Sequence, residues 1–389
     1  MNKNVYLLTL CQALLMSGNI VLISVVGLIG QQLAPNSSLI TLPVAMQFVG
    51  LMAATMPASF IMSKVGRKRG FMLGNVIGIL GAGLVVWALS VEHFWLFCLA
   101  ASLLGVGIGF GSLYRFAALE VAAPEQRSQA MSFSMAGGVL AAIVGPNLAV
   151  HSQTWFGGEL YSGAFLVVML LNVLALVLLT LVKLPPYTQH HEQGAQPLLA
   201  VIRSPGYATA VFTAVVAYAV MNLLMTVTPL AMLHCGFAFP QAAGVIKWHV
   251  LGMFAPAFFT GHLIQRFGCK CMIFAGAALF IACIGVNWHG TSLWHFRVAL
   301  TLLGVGWNFM FIAATQALTQ TYQEQNKAKA QGFNEFMVFA SVAFTSLLSG
   351  WLDAQVGWQQ LNLWVLPVII AVVLVMLIPS QRKDNHRQV

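Results

Sequence analysis

Two short patterns of soft side chains are the residues of this chain best suited to bind a ligand. Met221 and Met225 are four residues apart, and so are His249 and Met253. Residues four apart share one face of a helix, so each pair presents its side chains in one direction. Thioether sulfur is a soft ligand that suits Cu(I), and imidazole binds copper broadly. The four residues are therefore candidate ligands of a soft metal ion.

The same spacing also has a simpler interpretation. Methionine commonly fills gaps in apolar cores, and the chain contains 18 methionines and 10 histidines. Other methionine pairs at this spacing are Met52/Met56 and Met131/Met135. The interpretation as a site thus depends on whether the surrounding elements bring the two patterns together.

The composition identifies those elements. Of the 389 residues, 59% are hydrophobic and only 7% are charged, with a mean hydropathy of +0.84. A soluble domain has about 25% charged residues. Apolar segments of about 20 residues can only be membrane-spanning helices, because lipid offers no partner to an open sheet edge. The composition predicts an all-α membrane protein and excludes a soluble, fibrous or disordered chain.

Apolar runs and their breakers predict twelve transmembrane helices. Their approximate ranges are 5–29, 40–62, 71–90, 94–117, 129–150, 160–183, 208–233, 241–265, 271–288, 297–318, 331–352 and 361–379. We call them spans one to twelve. The predicted domains are an N-terminal six-helix bundle over 1–183, a linker over 184–207, a C-terminal six-helix bundle over 208–379 and a tail over 380–389.

The basic residues outside the spans predict the orientation. The formal net charge is +9, an excess that suits lipid headgroups here rather than nucleic acid. These residues fall on one set of alternating loops, and the opposite loops contain none. They are Lys3, Lys64, Arg67, Lys68, Arg69, Arg127, Lys183, Arg203, Arg266, Lys270, Lys327, Lys329, Arg382, Lys383 and Arg387. The positive-inside rule therefore predicts that both termini and the linker are cytoplasmic.

The two soft patterns are predicted to lie at the same depth in the membrane. Met221 lies about 13 residues, roughly 20 Å, from the cytoplasmic start of span seven. Met253 lies about 12 residues, roughly 18 Å, from the cytoplasmic end of span eight, which runs the opposite way. Met225 and His249 each lie one turn further out. The four neutral side chains could form a two-rung ladder near the midplane, where a histidine is costly and usually functional.

The two halves of the chain repeat. The sequence of Leu103–Gly107 recurs as Leu302–Gly306, at an offset near 200 residues. Two further matches follow the same offset: Ser59-x-x-x-Ser63-Lys64-Val65-Gly66-Arg67-Lys68 with Gly261-x-x-x-Gln265-Arg266-Phe267-Gly268-Cys269-Lys270, and Arg127-x-x-Ala130-x-x-Phe133 with Lys327-x-x-Ala330-x-x-Phe333. Three ordered matches at one offset indicate a tandem duplication.

The two loops resemble the G-x-x-x-D-R/K-x-G-R-R/K signature of the major facilitator superfamily, with Ser63 and Gln265 in place of its acidic residue. The resemblance implies two pseudo-symmetric six-helix halves with alternating access to a midplane site. It also implies a cytoplasmic gate, paired with helix ends and acidic groups such as Glu120, Glu125 or Glu335. The gate residues are Lys64, Gly66, Arg67, Lys68, Arg266, Gly268 and Lys270. Candidate cavity-wall residues are Asn19, Gln47, Trp307 and Asn308.

The soft patterns, with 28 residues from Met221 to His249, closely resemble the CcoA-like copper importers (CalT family) within this superfamily. The resemblance implies a monomeric secondary transporter in the bacterial cytoplasmic membrane that imports copper as Cu(I) for haem–copper oxidase assembly. Copper would be the substrate, with no resident cofactor, and copper chaperones would be partners. His234 and Cys235 are candidates for the copper uptake end, and Cys269 and Cys271 for the exit.

The main alternative is a superfamily transporter of a small organic solute, a drug or a metal chelate, and a third interpretation is a non-transporting receptor or assembly factor with a transporter fold. No catalytic constellation and no phosphate-binding loop occurs, so neither an enzyme nor direct ATP drive is expected. At the offset of 202 residues, Met221, His249 and Met253 correspond to Asn19, Gln47 and Leu51, which are not soft ligands. Only the C-terminal half is therefore expected to bind metal directly.

Overall fold

The computed structural model describes residues 2–122, 127–153, 155, 161–184 and 196–377. Throughout these residues the chain is helical and contains no strand, which confirms the predicted all-α class. The predicted tail and residues 185–195 of the predicted linker lie outside the described ranges. Short helical turns at Ser37–Leu39, Leu198–Ile202 and Glu324–Asn326 connect the longer elements.

The first six predicted spans are each recovered as helix. Most begin or end within a few residues of the prediction, and span four is divided at Ser112–Leu113. The helices are Lys3–Leu33, Leu42–Val65, Arg67–Ser90, Phe94–Gly111 with Tyr114–Val121, Arg127–Ser152 and Ser162–Leu181.

The last six spans are recovered with more breaks. Pro256 has no backbone N–H and divides span eight, while Gly268 and Gly357 lie at bends within longer helices. The helices are Tyr207–His234, Phe239–Phe254, Ala257–His289, Leu293–Thr319, Lys327–Trp364 and Leu366–Leu377. Span nine therefore begins after Gly268, and span twelve begins after Gly357.

Nine helices of the described part are long and apolar enough to cross a membrane. Three of the twelve predicted spans are not among these nine helices, each for a local reason. Span five is described as apolar only over Gly137–Ser152, span eight is divided near Pro256, and spans eleven and twelve run on as one element. The twelve-helix arrangement follows from these helices.

The signature loops have the same backbone geometry in both halves. Gly66 has φ 88° and ψ 151°, and Gly268 has φ 82° and ψ 159°. This region of backbone conformation is essentially restricted to glycine. The duplicated glycine is thus required by a sharp turn between consecutive spans at the face that carries the basic loops, which we call the basic face.

The recurring Leu-Leu-Gly-Val-Gly motif is a helix-packing feature. A Cβ on Gly105 would overlap the backbone carbonyl of Gln47 in span two, and a Cβ on Gly304 would overlap that of His249 in span eight. The second glycine of each motif packs in the same way against span three or span nine. Residues about 200 positions apart therefore match in sequence and also occupy equivalent three-dimensional environments in the two halves.

The two halves meet along a seam that is closed at the face opposite the basic face. There, Thr41 accepts a hydrogen bond from the Gly350 N–H (3.0 Å) and donates one to the Leu347 carbonyl (3.4 Å). The Gln31 amide nitrogen lies 3.4 Å from Nε2 of His234. Buried residues of both halves complete the closure: Tyr161, Leu230, Phe239, Ala243 and Val342.

Candidate functional site

The predicted ladder residues are buried within the C-terminal half. Met221, Met225 and Met253 are 2%, 6% and 7% exposed and belong to one apolar cluster. His249 is fully buried, and its Nδ1 lies 2.8 Å from the carbonyl oxygen of Leu300 in span ten. Because a carbonyl only accepts, Nδ1 carries the proton. Nε2 then presents a lone pair, and no described atom hydrogen-bonds to it.

In the first half, the positions equivalent to His249 and Met221 are in direct contact. Gln47 and Asn19 correspond to His249 and Met221, and the Gln47 amide donates a 2.8 Å hydrogen bond to Asn19 Oδ1. Gln47 is 1% exposed, and its own Oε1 has no hydrogen-bond partner within the described chain. Spans one and two are therefore linked by a direct polar contact at this depth. The pseudo-symmetric positions in the second half carry the soft side chains.

Asn308, a predicted cavity-wall residue, has a clear packing role. It is fully buried, its amide donates to the Met253 carbonyl (2.6 Å), and its Oδ1 accepts from Thr260 (2.6 Å). These two partners flank the break at Pro256. Asn308 thus stabilises the interrupted span eight from span ten.

Trp307, the other predicted wall residue on span ten, belongs to a cluster of five aromatic rings from four spans. Its ring stacks on Phe311 at 5.0 Å and 11°. Tyr218 meets Trp307 edge-on at 5.3 Å and also contacts Phe311 and Phe339. Phe254 lies 6.5 Å from Trp307. We call these five residues the aromatic cluster.

The aromatic cluster lies at the seam, near mid-depth. Trp307 is 14 residues, about 21 Å, from Leu293, where span ten begins at the face opposite the basic face. The Phe254 ring lies 2.7 Å from the position that a Cβ on Gly138 of span five would occupy, so the cluster reaches the other half. Trp307 is 7% exposed, whereas the other four rings are half-buried. The cluster offers flat apolar surface at the junction of the halves.

Neutral polar atoms without partners are also buried within the spans. The indole N–H of Trp307 is buried and makes no hydrogen bond to a described residue. Other such atoms within the spans include Gln47 Oε1, Asn222 Oδ1, Thr226 Oγ1, His249 Nε2 and Asn334 Oδ1. Buried polar groups are normally paired. These donors and acceptors can therefore serve an uncharged, hydrogen-bonding solute.

The predicted thiol sites lie at the two faces. Cys235 is exposed beside His234, which is also exposed and contacts Gln31. Cys271 is exposed and Cys269 is half-buried at the basic face. Within the described residues, no three or more His, Cys, Asp or Glu side chains form a group that could hold a metal ion.

The predicted gate makes one clear helix-end contact. Nζ of Lys68 donates 2.9 Å hydrogen bonds to the carbonyls of Thr180 and Val182, at the end of span six. A cation there complements the helix dipole. Three further basic side chains of the gate lie over neighbouring rings: Lys64 over Phe60, Arg266 over Phe267, and Lys270 over Phe274.

The acidic gate partners are not described in the same detail. The side chain of Glu120 and the whole of Glu125 lie outside the described part, while Glu335 is half-buried in span eleven. Among the remaining gate positions, Gly66 and Gly268 form the turns given above. Among the described residues, Lys68 thus contacts the end of span six.

Comparison with known proteins defines the class. The family model of the Major Facilitator Superfamily matches residues 8–255 and again 210–389. The chain belongs to this superfamily, and it is a multi-pass membrane transporter rather than an enzyme. The family match also agrees with the duplicated halves.

Individual relatives extend the similarity over nearly the whole chain. The riboflavin transporter RfnT of Brucella anthropi is 38% identical over 380 residues, which is 97% of this chain and 95% of that protein. The uncharacterized MFS-type transporters YdeG and YddS of Bacillus subtilis are 28% and 26% identical, over 88% and 90% of this chain and 83% and 86% of their own lengths. One of these three names specifies an organic solute, riboflavin, and none of them mentions copper.

The site therefore combines predicted and unpredicted residues. Trp307 was expected at the cavity wall, but Tyr218, Phe254, Phe311 and Phe339 were not singled out. Their signal in the sequence is weak, because only Trp307 and Phe311 share a span at four-residue spacing. The other three rings join them through packing between spans.

Proposed function

We propose that this protein carries a small, uncharged heteroaromatic solute of the flavin class across the membrane, with riboflavin as the first substrate to test. The aromatic cluster at the seam is the observation that carries the proposal. Stacked and edge-on aromatic contacts favour a planar ring by about 0.5–1.5 kcal/mol per contact beyond burial. The 38% identity with a riboflavin transporter over nearly the full length supports flavins among planar solutes.

The polar chemistry of the region supports the same solute class. Riboflavin is a planar three-ring system with amide-like donors and acceptors and a neutral hydroxylated chain. The unpartnered groups buried within the spans include the indole N–H of Trp307, amide oxygens, a hydroxyl and an imidazole nitrogen, and these are neutral. A neutral solute avoids the cost of burying an uncompensated charge.

The proposed direction is uptake into the cytoplasm across the bacterial inner membrane. The positive-inside rule supports a cytoplasmic basic face. With that orientation, the structure is closed toward the outside by the contacts of Thr41 with Leu347 and Gly350. A solute at the aromatic cluster would then leave toward the cytoplasm.

Uptake of radiolabelled riboflavin by bacteria that cannot synthesise it tests the proposal. Cells that express the chain should take up riboflavin saturably, and Trp307→Leu should weaken uptake by roughly tenfold, because the stacking surface and the N–H are both removed. Trp307→Phe should be milder because it retains a ring. Absence of riboflavin uptake by wild-type protein at normal membrane abundance would contradict the proposal.

Copper import is the second candidate, and His249 is the observation that favours it. Its Nδ1 donates to Leu300, which leaves Nε2 as a buried lone pair. Met221, Met225 and Met253 are buried in one cluster of the same half, and neutral nitrogen and sulfur ligands suit Cu(I). In this alternative, copper is the cargo, with His234/Cys235 and Cys269/Cys271 at the two ends of its path.

The double variant Met221→Leu/Met253→Leu separates the two candidates. Leucine preserves volume but removes the soft ligands. If copper is the cargo, radiocopper accumulation should fall severalfold while riboflavin uptake stays normal. Radiocopper accumulation equal to that of cells without the protein would sink the copper alternative.

A further inference from the structure

Glu335 is a carboxylate at membrane depth to which the proposed function gives no role. It is half-buried in span eleven, eight residues, about 12 Å, from Lys327 at the basic face. Two other carboxylate side chains belong to the described part of the chain. Glu92 is exposed in the turn between spans three and four, and Asp353 lies about 39 Å from Lys327, beyond the roughly 30 Å of a hydrocarbon core. Ionisable residues inside membrane spans are costly and commonly mark ion pathways and proton relays.

Glu335 lies on the face of span eleven that is turned into the protein. Phe339, Val342 and Ser346 follow it at helical spacing, so the four residues share one face. Phe339 belongs to the aromatic cluster, and Val342 is buried among residues of the other half. Ser346 accepts a 2.8 Å hydrogen bond from the amide of Asn222 in span seven. The carboxylate is therefore on the seam side of the helix rather than its lipid side.

This carboxylate is one helical turn from the aromatic cluster. Phe339 is four residues beyond Glu335, a rise of about 6 Å toward the face opposite the basic face. The seam is closed at that opposite face by the contact of Thr41 with Gly350. Glu335 therefore lies between the aromatic cluster and the basic face, on the side from which a solute leaves in the proposed direction of uptake.

The charged and titratable groups on the elements packed around span eleven are distributed toward the helix ends. In span seven, Tyr207 donates its hydroxyl hydrogen to the Ala330 carbonyl at 2.8 Å, and Tyr218 belongs to the aromatic cluster. The others that the structure describes are Lys64, Arg203, His234, His262, Arg266, Cys269, Lys270, Cys271, Cys283, His289, His295, Arg297, Tyr322 and Lys329. Of these, His262 is the basic group closest to Glu335 in depth, about 9 Å from the turn at Gly268, and it is exposed.

We infer that Glu335 is the proton-coupling residue of an uptake cycle in which one proton enters with each neutral solute. This inference rests on the proposed function and adds its driving force. Neither a pH difference nor the membrane potential acts on a neutral solute by itself, and the chain has no phosphate-binding loop for ATP. Accumulation of such a solute therefore needs an ion that travels with it.

The proton is conserved through the cycle. While the site faces outward, the Glu335 carboxylate accepts a proton from the outer aqueous phase and becomes a neutral carboxyl group. The neutral form is the one that can be enclosed at low cost while the halves change state. After the solute has left toward the cytoplasm, the carboxyl group releases its proton on the same side. One solute and one proton have then crossed, and the carboxylate is restored.

Two transport assays on the full-length protein in liposomes separate coupling from solute binding. In the first, accumulation of radiolabelled riboflavin is measured with the interior one pH unit more alkaline than the medium. Coupling of one proton to each solute supports about tenfold accumulation at this gradient. In the second, unlabelled riboflavin inside exchanges for labelled riboflavin outside without a gradient. This exchange reports solute binding and the change of state, and it needs no net movement of protons.

Glu335→Gln is the decisive variant, because glutamine resembles the protonated carboxyl group in size and polarity. It should lose the gradient-driven accumulation, a change of about tenfold, while exchange continues within about twofold of wild type. Glu335→Asp retains a carboxylate and should restore accumulation. His262→Gln removes the basic group nearest in depth, and Glu92→Gln removes an exposed carboxylate, so both controls should accumulate riboflavin as wild type does.

The outcomes separate this inference from the proposed function. Wild-type protein that exchanges riboflavin but gains nothing from the pH gradient would overturn the coupling alone, as would gradient-driven accumulation by Glu335→Gln. Equal loss of exchange and accumulation in Glu335→Gln would instead indicate a gate contact and would also overturn the coupling role. Absence of exchange by wild type would overturn the proposed function and the coupling with it. If Glu335→Gln does not reconstitute, Glu335→Met, which is also neutral, decides the result.

Discussion

At the residue scale, the neutral polar groups buried in the middle of this protein are of two kinds, those with a hydrogen-bond partner and those without one. Asn308 is paired through both its amide nitrogen and its amide oxygen, and it holds the broken span eight in place. His249 and Trp307 are each left with a buried nitrogen that has no partner in the described chain. Paired groups of this kind stabilise the fold, and unpaired ones are the groups that a cargo can satisfy.

Loss of the Asn308 amide should destabilise the protein. Asn308→Leu leaves the Met253 carbonyl without this donor and removes one acceptor of Thr260, at a cost of about 1–3 kcal/mol for an unsatisfied buried group. The purified variant should therefore have a clearly lower Tm in a thermal unfolding assay. Asn147→Leu is the control, because that amide is exposed and donates to the Ile143 carbonyl within its own helix. Equal Tm values for the two variants would contradict the packing role.

The site residues were only partly predictable, for a physical reason. Four-residue spacing shows that His249 and Met253 share a helix face, but it does not show which neighbour that face meets. The structure places the His249 ring against Leu300 of span ten, whereas the ladder hypothesis considered only spans seven and eight. The aromatic cluster draws on four spans, and such contacts depend on packing between helices that no local pattern encodes.

At the element scale, the fold was more predictable than the site. Apolar runs and breakers predicted all twelve spans, since lipid leaves a 20-residue apolar segment no alternative to a helix. The breaks at Ser112 and Pro256 were not predicted, because proline and glycine also occur within continuous helices here, as at Pro57 and Pro146. The duplicated motifs predicted the pseudo-symmetry, and their glycines prove to be turn and close-packing positions.

The turns at Gly66 and Gly268 should not tolerate a side chain. Alanine in this backbone region costs about 1–3 kcal/mol, so Gly66→Ala and Gly268→Ala should each lower Tm and membrane abundance. Gly261→Ala serves as the control, since Gly261 is helical, lies near the same turn and has no neighbouring atom within 4 Å of a built Cβ. Wild-type Tm in both turn variants would argue against a strained turn.

At the scale of the whole molecule, closure of the seam at the face opposite the basic face defines the state of the transporter. A Cβ on Gly350 would lie 2.7 Å from Oγ1 of Thr41, so valine at this position does not fit the closed seam. In a transporter that alternates by rocking of its halves, Gly350→Val should shift the population toward the state closed at the basic face. Gly332→Val on the same span is the control, as its built Cβ meets no atom within 4 Å.

Spin-label distances can follow this shift. Arg69 and Cys271 are exposed at equivalent positions of the two halves on the basic face. Labels on Arg69→Cys and native Cys271, with Cys235 and Cys269 replaced by serine, should move closer together in Gly350→Val but not in Gly332→Val. An unchanged distance distribution in Gly350→Val would show that the Thr41 contact does not control the seam.

Equilibrium binding of riboflavin to the purified protein tests the central claim most directly. Flavin fluorescence should be quenched saturably as the ring stacks on the aromatic cluster, because stacking places it against Trp307 and its neighbours. The Kd should rise roughly tenfold in Trp307→Leu and stay unchanged in Met221→Leu/Met253→Leu. Absence of saturable quenching in wild-type protein, together with stoichiometric Cu(I) binding that the methionine variant loses, would contradict a flavin carrier and favour a copper carrier.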